Sequence, residues 1–176
     1  MSKIYISLLV FLTLFISGCT SVPTDDISVG AESDPKANFS SDKTYTWLGS
    51  ATIVQDSFGK WEPLGFDADA EVKYLFDSEL RGRGMSKNAL SPDLAIAFVA
   101  GVNMDALGLN LDSEASINML ENVPQGGLLV IFVDSESGLV IWVGLATAEV
   151  QQNVDTDTAK ARLDYAVTQM IKKLPK

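Results

Sequence analysis

The chain has 176 residues, 47% of them hydrophobic and 20% charged, with one cysteine, no histidine and a net charge of −10. That length and apolar content fit a single domain whose core needs no disulfide. They exclude a disulfide scaffold, a histidine-ligated zinc site and any triad built on an imidazole base. Thirteen Lys and Arg stand against 23 Asp and Glu, which excludes general nucleic-acid binding, because that needs cations on phosphates.

Residues 1–18 carry Lys3 and no acid, and Ile4 to Ile16 is apolar except for Ser7 and Thr13. Thirteen helical residues span about 20 Å, short of the roughly 30 Å of a bilayer's hydrocarbon core. The segment therefore reads as a secretory signal peptide rather than a membrane span. It ends in Ile16, Ser17, Gly18 and Cys19, an aliphatic residue, two small ones and the sole cysteine, which is the pattern of a bacterial lipobox. Small side chains at 17 and 18 admit the peptide to a narrow peptidase, and the Cys19 thiol receives the lipid, an anchor of the palmitate kind. Several acyl chains on one residue make a lasting membrane attachment, since each buried CH₂ contributes about 0.8 kcal/mol. Thr20 stands where retention in the inner membrane usually shows Asp, so the expected location is the outer membrane, facing the periplasm. Cleavage before Cys19 removes Lys3 and no other charge, leaving the mature chain more acidic still.

Residues 19–33 are polar, with Pro23, Gly30 and the acids Asp25, Asp26 and Glu32, and read as a lipid-attached flexible tether. The domain is expected over 34–176. Lys43 to Leu48 alternates, with Tyr45 and Trp47 on one face, and predicts a half-buried strand. Residues 50–66 resist assignment. From Asp67, apolar residues recur at Ala68, Val72, Leu75, Phe76 and Leu80, predicting a helix capped by Asp67 and stopped by Gly84. Asp93 to Gly101 predicts a strand with Leu94, Ile96 and Phe98 on one face and Ala95 and Ala97 on the other. Over 103–125 the pattern is ambiguous: Leu107, Leu109 and Leu111 alternate like a strand, while Ser113 to Val123 admits a short helix. Leu128 to Val133 and Leu139 to Val150 are apolar runs joined by an Asp134–Gly138 turn, and such runs belong in a sheet's centre. A last helix starts at Thr156, with Ala159, Leu163, Ala166, Val167, Met170, Ile171 and Leu174 in one stripe and Pro175 as its stop.

This order of pieces resembles the bacterial lipoprotein family catalogued as domain-of-unknown-function family 4136, over about Asp34 to Pro175. The resemblance is carried by Asp34 to Phe39 followed by Lys43 to Trp47, and by a long helix ending in Leu80 and Gly84. Pro92-Asp93-Leu94, Gly127 to Val130, and the run Gly138-Leu139-Val140-Ile141-Trp142 with Gly144 complete it. The resemblance implies an envelope-anchored α+β domain and no particular activity. The fold class expected is α+β, with a mainly antiparallel sheet of four to five strands and two long helices packed on one face.

Chemistry is sparse. Ser-x-x-Lys occurs at Ser33/Lys36, Ser40/Lys43 and Ser57/Lys60 without the partner motifs that make such a serine a nucleophile. Asp134, Glu136 and Gly138 are spaced like the start of a calcium loop, but position 145 is Leu where a liganding acid is needed. Asp67 and Asp69 suit the positive end of a helix better than acid/base work. Tyr45, Trp47, Trp61 and Trp142 can line a pocket or fill a core. No catalytic residue, cofactor or metal is expected; Cys19 is the one residue with a chemical role. Three functions follow. The first is a non-catalytic binding or assembly module docking an envelope protein through an acidic surface. The second is an auxiliary lipoprotein of envelope transport that holds a lipid or other hydrophobe in a groove, either on the sheet's free face or beneath residues 103–125. The third is a hydrolase whose acids converge only on folding.

Overall fold

A computed structural model describes residues 22–111, 118–151 and 153–175. The expected signal peptide and the candidate lipobox residues Ile16, Ser17, Gly18 and Cys19 lie outside the described residues. In chain order the elements are β1 (Ser28–Ser33), β2 (Thr44–Gln55), α1 (Ala68–Gly82), β3 (Ser86–Lys87), β4 (Leu94–Asn103), β5 (Leu107–Leu111), β6 (Asn118–Asn122), β7 (Gln125–Asp134), β8 (Val140–Glu149) and α2 (Thr156–Lys172). Six strands form one sheet in the order β1-β8-β7-β4-β2-β3, and β5 pairs with β6 alone.

The architecture is α+β with two helices, but the sheet is larger and more mixed than expected. β4 lies parallel to β2 because α1 carries the chain back between them, and a crossover of that kind can only return a parallel strand. β3 adds a second parallel pairing of two residues. The remaining pairs, β4 with β7, β7 with β8 and β8 with β1, are antiparallel. The tether expected over 19–33 is also shorter than read from the sequence, since residues 28–33 form the edge strand β1, paired from Ser28↔Thr147 to Ser33↔Trp142. Of the short helix admitted over 113–123, residues 118–122 form strand β6, paired with β5, and residues 113–117 lie outside the described residues.

Both helices start where side chains cap them. Asp67 accepts from the Ala70 N–H (3.0 Å) and Asp155 from the Thr158 N–H (2.8 Å), satisfying donors that the first turn leaves free. α1 ends before Gly84, whose φ of +83° turns the chain away. The helices run in the same direction, joined by Lys160–Glu71 (2.8 Å), by Thr168 donating to Glu79 (2.8 Å), and by the Arg83 guanidinium on the Leu174 carbonyl (3.0 Å).

Between helices and sheet lies one core, including Phe76, Leu80, Ile96, Phe98, Val130, Phe132, Trp142, Val167 and Met170. Each large side chain buried there contributes about 1.5–3 kcal/mol. Trp142 and Gly144 are two apart on β8 and so share a face. A Cβ at Gly144 would stand 2.3 Å from the Trp142 ring and 3.0 Å from the Met170 methyl, so the indole lies flat over the glycine. The Trp-x-Gly spacing is thus a packing requirement. Tyr45 and Trp47 both donate to one oxygen of Asp77 on α1 (2.7 and 3.0 Å), while Lys87 pairs with its other oxygen at 2.5 Å. Burial, and then the hydrogen bond to this carboxylate, raise the Tyr45 pKa far above its ordinary value, so the phenol is a permanent donor.

Candidate functional site

On the helix-covered face, side chains are larger at one end of the strands than at the other, where Leu128 and Val102 stand among small residues. Toward the ends of β2 and β4 where the chain enters, β4, β7 and β8 present Leu94, Ile96, Phe98, Val130, Phe132 and Trp142. Toward the other end the same face presents Ala100, Gly126, Ala146 and Ala148, opposed by Ala68 on α1 and Ala159 and Ala166 on α2. Residues this small do not reach across the space between sheet and helices. The result is a cavity of about 810 Å³ whose exposed lining is more apolar than polar. That size lies within the range of natural small-ligand sites.

The loop over residues 59–66 closes one side of the cavity with Trp61, Leu64 and Phe66. Asp56 shapes this loop by accepting the N–H groups of Trp61 (2.6 Å) and Phe58 (3.3 Å), and those bonds hold its carboxyl below the ordinary aspartate pKa. Ser57 anchors the loop to Asp105, its hydroxyl donating at 2.7 Å. The opposite side is closed by Ile27 and by Arg162 of α2. The nearly buried guanidinium of Arg162 grips the N-terminal segment, donating to both oxygens of Asp26 (2.9 and 2.6 Å) and to the Pro23 carbonyl. Its hydrogen bonds are the main reason that the Asp26 pKa is lowered.

The residues singled out in the sequence are scattered. Of the four aromatics, Trp61 lines the cavity, Tyr45 and Trp47 meet at Asp77, and Trp142 is core. Two of the three Ser-x-x-Lys serines have other partners and the third lies in β1: Ser40 donates to Asn38 (2.6 Å) and Ser57 to Asp105, Ser33 pairs with Trp142 in the ladder, and Lys60 lies over the Phe58 ring at 5.5 Å. Asp69 pairs with Lys73 (2.7 Å) and Ser50. Asp134 accepts from the N–H and hydroxyl of Ser137 (2.7 and 2.5 Å), closing the β7–β8 turn instead of a cation loop. Among the described residues no three His, Cys, Asp or Glu side chains are grouped to hold a metal, and no helix is long and apolar enough to cross a membrane.

Acids do gather at the far end, around a depression of about 270 Å³ of mixed character, lined by Asp34, Asp42 and Asp134 together with Leu139 and Ile141. Burial first, and the nearby charges of Asp93 and Asp134 second, raise the Asp42 pKa. The other acids are occupied by the backbone: Asp93 accepts the N–H groups of Lys43 and Thr44 (both 2.8 Å), and Asp34 that of Lys36 (2.8 Å). They tie turns together, and no buried acid pair faces a cleft there.

The groove was expected on the sheet's free face or beneath 103–125. The free face is instead flat: Ala97, Val99, Leu129, Ile131, Val143 and Leu145 lie side by side in register, and no described helix packs on them. The cavity lies on the helix side. Arg162 and the small residues at 100, 126, 146 and 148 come together only on folding, so no local pattern in the sequence reports that grouping. One signal was present: Arg162 interrupts the apolar stripe between Ala159 and Leu163.

A family model described as domain of unknown function (DUF4136) matches residues 29–176. No curated protein matches the chain. Among solved structures, a DUF4136 family protein from Bacteroides thetaiotaomicron aligns with a TM-score of 0.50 at 16% identity, over 82% of this chain and 96% of that one, and so shares the fold. A lipoprotein from Neisseria meningitidis aligns at 0.34 with 15% identity, over 75% and 99%. A PDZ domain protein from Parabacteroides distasonis aligns at 0.48 with 13% identity over 86% of this chain, which spans 36% of that protein's length.

Proposed function

The chain belongs to the DUF4136 family, a family defined without an activity, and from its cavity we propose that it is a cell-envelope lipoprotein with a non-catalytic, hydrophobe-binding domain. The lipobox Ile16-Ser17-Gly18-Cys19 supports lipid attachment at Cys19, and Thr20 supports the outer membrane, with the domain facing the periplasm. The observation that carries the binding function is the cavity between sheet and helices, with its small-residue walls and a loop for a roof. An apolar site of this size gains from each CH₂ it removes from water.

The test is native mass spectrometry of a chain starting at Thr20, secreted behind an ordinary cleavable signal and purified without detergent. Starting at residue 34 would delete β1 and the Arg162 contacts. A co-purifying adduct of lipid mass is the expected result, and a bare protein mass that takes up no fatty acid overturns the reading. Lipidation is tested separately: Cys19→Ala accumulates as an unprocessed precursor, and cleavage with detergent partitioning in that variant would refute the lipobox.

A second reading, docking of an envelope protein, is favoured by the free sheet face. Leu129 and Leu145 there are 38% and 45% exposed, and aliphatic neighbours in register make a contiguous patch of the kind that marks contact surfaces. A photo-crosslinking side chain at Leu145 should then capture one discrete protein in intact cells, while the same probe at Tyr74 on α1 captures none.

A further inference from the structure

We propose that the cavity faces the membrane that holds the Cys19 lipid and takes up a phospholipid acyl chain directly from that leaflet. The inference rests on the hydrophobe-binding reading above and on lipidation of Cys19.

The position of the anchor carries it. Arg162 fixes the chain at Pro23 and Asp26, and Ile27 lines the cavity. Thr20, Ser21 and Val22 alone separate Cys19 from that fixed point. Four extended steps reach at most about 14 Å, whereas the ten-residue strands β4 and β7 run for about 33 Å. A lipid on Cys19 therefore holds the cavity end against the bilayer and leaves the acid-lined far end in water.

The composition of the rim is a second, independent observation. Leu64 in the roof loop and Phe58 just before it are 43% and 76% exposed, near Trp61 and the Lys60 ammonium that rests on the Phe58 ring. Aromatic rings with a lysine are the side chains that settle at a bilayer's interface. Charge plays no part in this contact. Asp25, Asp26, Glu62, Glu71 and Glu149 outnumber Lys60, Lys160 and Arg162 at this end, so anionic lipid gives no attraction and the contact persists in zwitterionic bilayers. An acyl chain is the apolar group that such a surface offers, and it enters beneath the roof loop without crossing water.

The test uses the full lipidated chain in phosphatidylcholine vesicles. Its sole cysteine carries the lipid, so Leu64→Cys and Leu90→Cys each place one environment-sensitive dye, at the rim and at the 98% exposed far end. The rim dye should shift to the blue and be quenched by a lipid-borne quencher, and the far dye should do neither. A Gly-Ser insertion of about ten residues after Ser21, which leaves the domain itself unaltered, should abolish the rim signal. A photoreactive acyl chain in the same vesicles should mark peptides holding Leu128 and Leu163, with loss of that labelling in Ala146→Leu. Equal signals from both dyes overturn the orientation, even where native mass spectrometry retains a lipid adduct. Rim quenching with labelling confined to Phe58 and Leu64 overturns acyl-chain uptake, and a bare protein mass in that case places the failure in the binding reading itself.

Discussion

Gly144 is the position at which one added methyl group does the most damage. Its Cβ has no space beneath the Trp142 ring, so Gly144→Ala should destabilise the domain by about 1–3 kcal/mol, read as a lower denaturant midpoint with unchanged slope. Asp77→Ala should cost a similar amount, about 1–3 kcal/mol, because it strands the buried Tyr45 hydroxyl along with the Trp47 N–H. Two carboxylates respond to pH with opposite sign. Asp26 is held below its ordinary pKa by Arg162, so its contribution is complete above the unfolded value of 3.8 and is lost as pH falls through the lowered folded value. Asp42 is raised by burial and by Asp93 and Asp134, so its ionised form opposes folding at neutral pH. Asp42→Asn should stabilise the protein by about half a kcal/mol at pH 7, with the gain vanishing below the ordinary aspartate range; thermal melts across pH 3–7 check both signs.

At the scale of elements, β1 is held by a ladder to β8 on one side and by the Asp26–Arg162 pair at its entry. Asp26→Ala leaves a nearly buried guanidinium without its charge partner and should cost about 1.5–3 kcal/mol. Limited proteolysis should then cut within residues 22–33 while the helices stay protected. The two helices were legible in the sequence because periodicity coincides with punctuation: Asp67 and Gly84 bound the first and Pro175 stops the second, while the Asp155 cap of the second is seen only in the structure. β1 was not. Ser28-Val29-Gly30-Ala31-Glu32-Ser33 offers two small apolar residues and one valine, too weak a period to stand out from a linker, and its strand form comes from the vacant edge of β8. β7 and β8 read as doubly apolar strands and do lie within the sheet, but one of their faces is uncovered by any described helix, so their apolarity there belongs to a surface. The cavity was illegible for a related reason. A glycine at 126 or an alanine at 146 means nothing singly; the taper shows only when three strands are aligned.

For the whole molecule, the two ends of the sheet differ in kind. One is filled by Trp142, Phe132 and the Asp77 cluster, and carries the stability. The other is hollow, closed by a loop and by the N-terminal segment, and is where a ligand is accommodated. Enlarging Ala146 to Leu fills part of the hollow end, so melting temperature should change little or rise while the lipid adduct is lost; a destabilised variant that keeps its adduct would refute this division.

The pairing of β1 with β8 also orders events in time. β1, the first strand among the described residues, waits for a partner more than a hundred residues downstream, from Ser33↔Trp142 to Ser28↔Thr147. Contacts so distant in sequence close slowly. Until β1 docks, β8 exposes an open edge of the kind that recruits foreign strands. β1 thus joins the sheet late, and the edge of β8 stays open to aggregation until it docks.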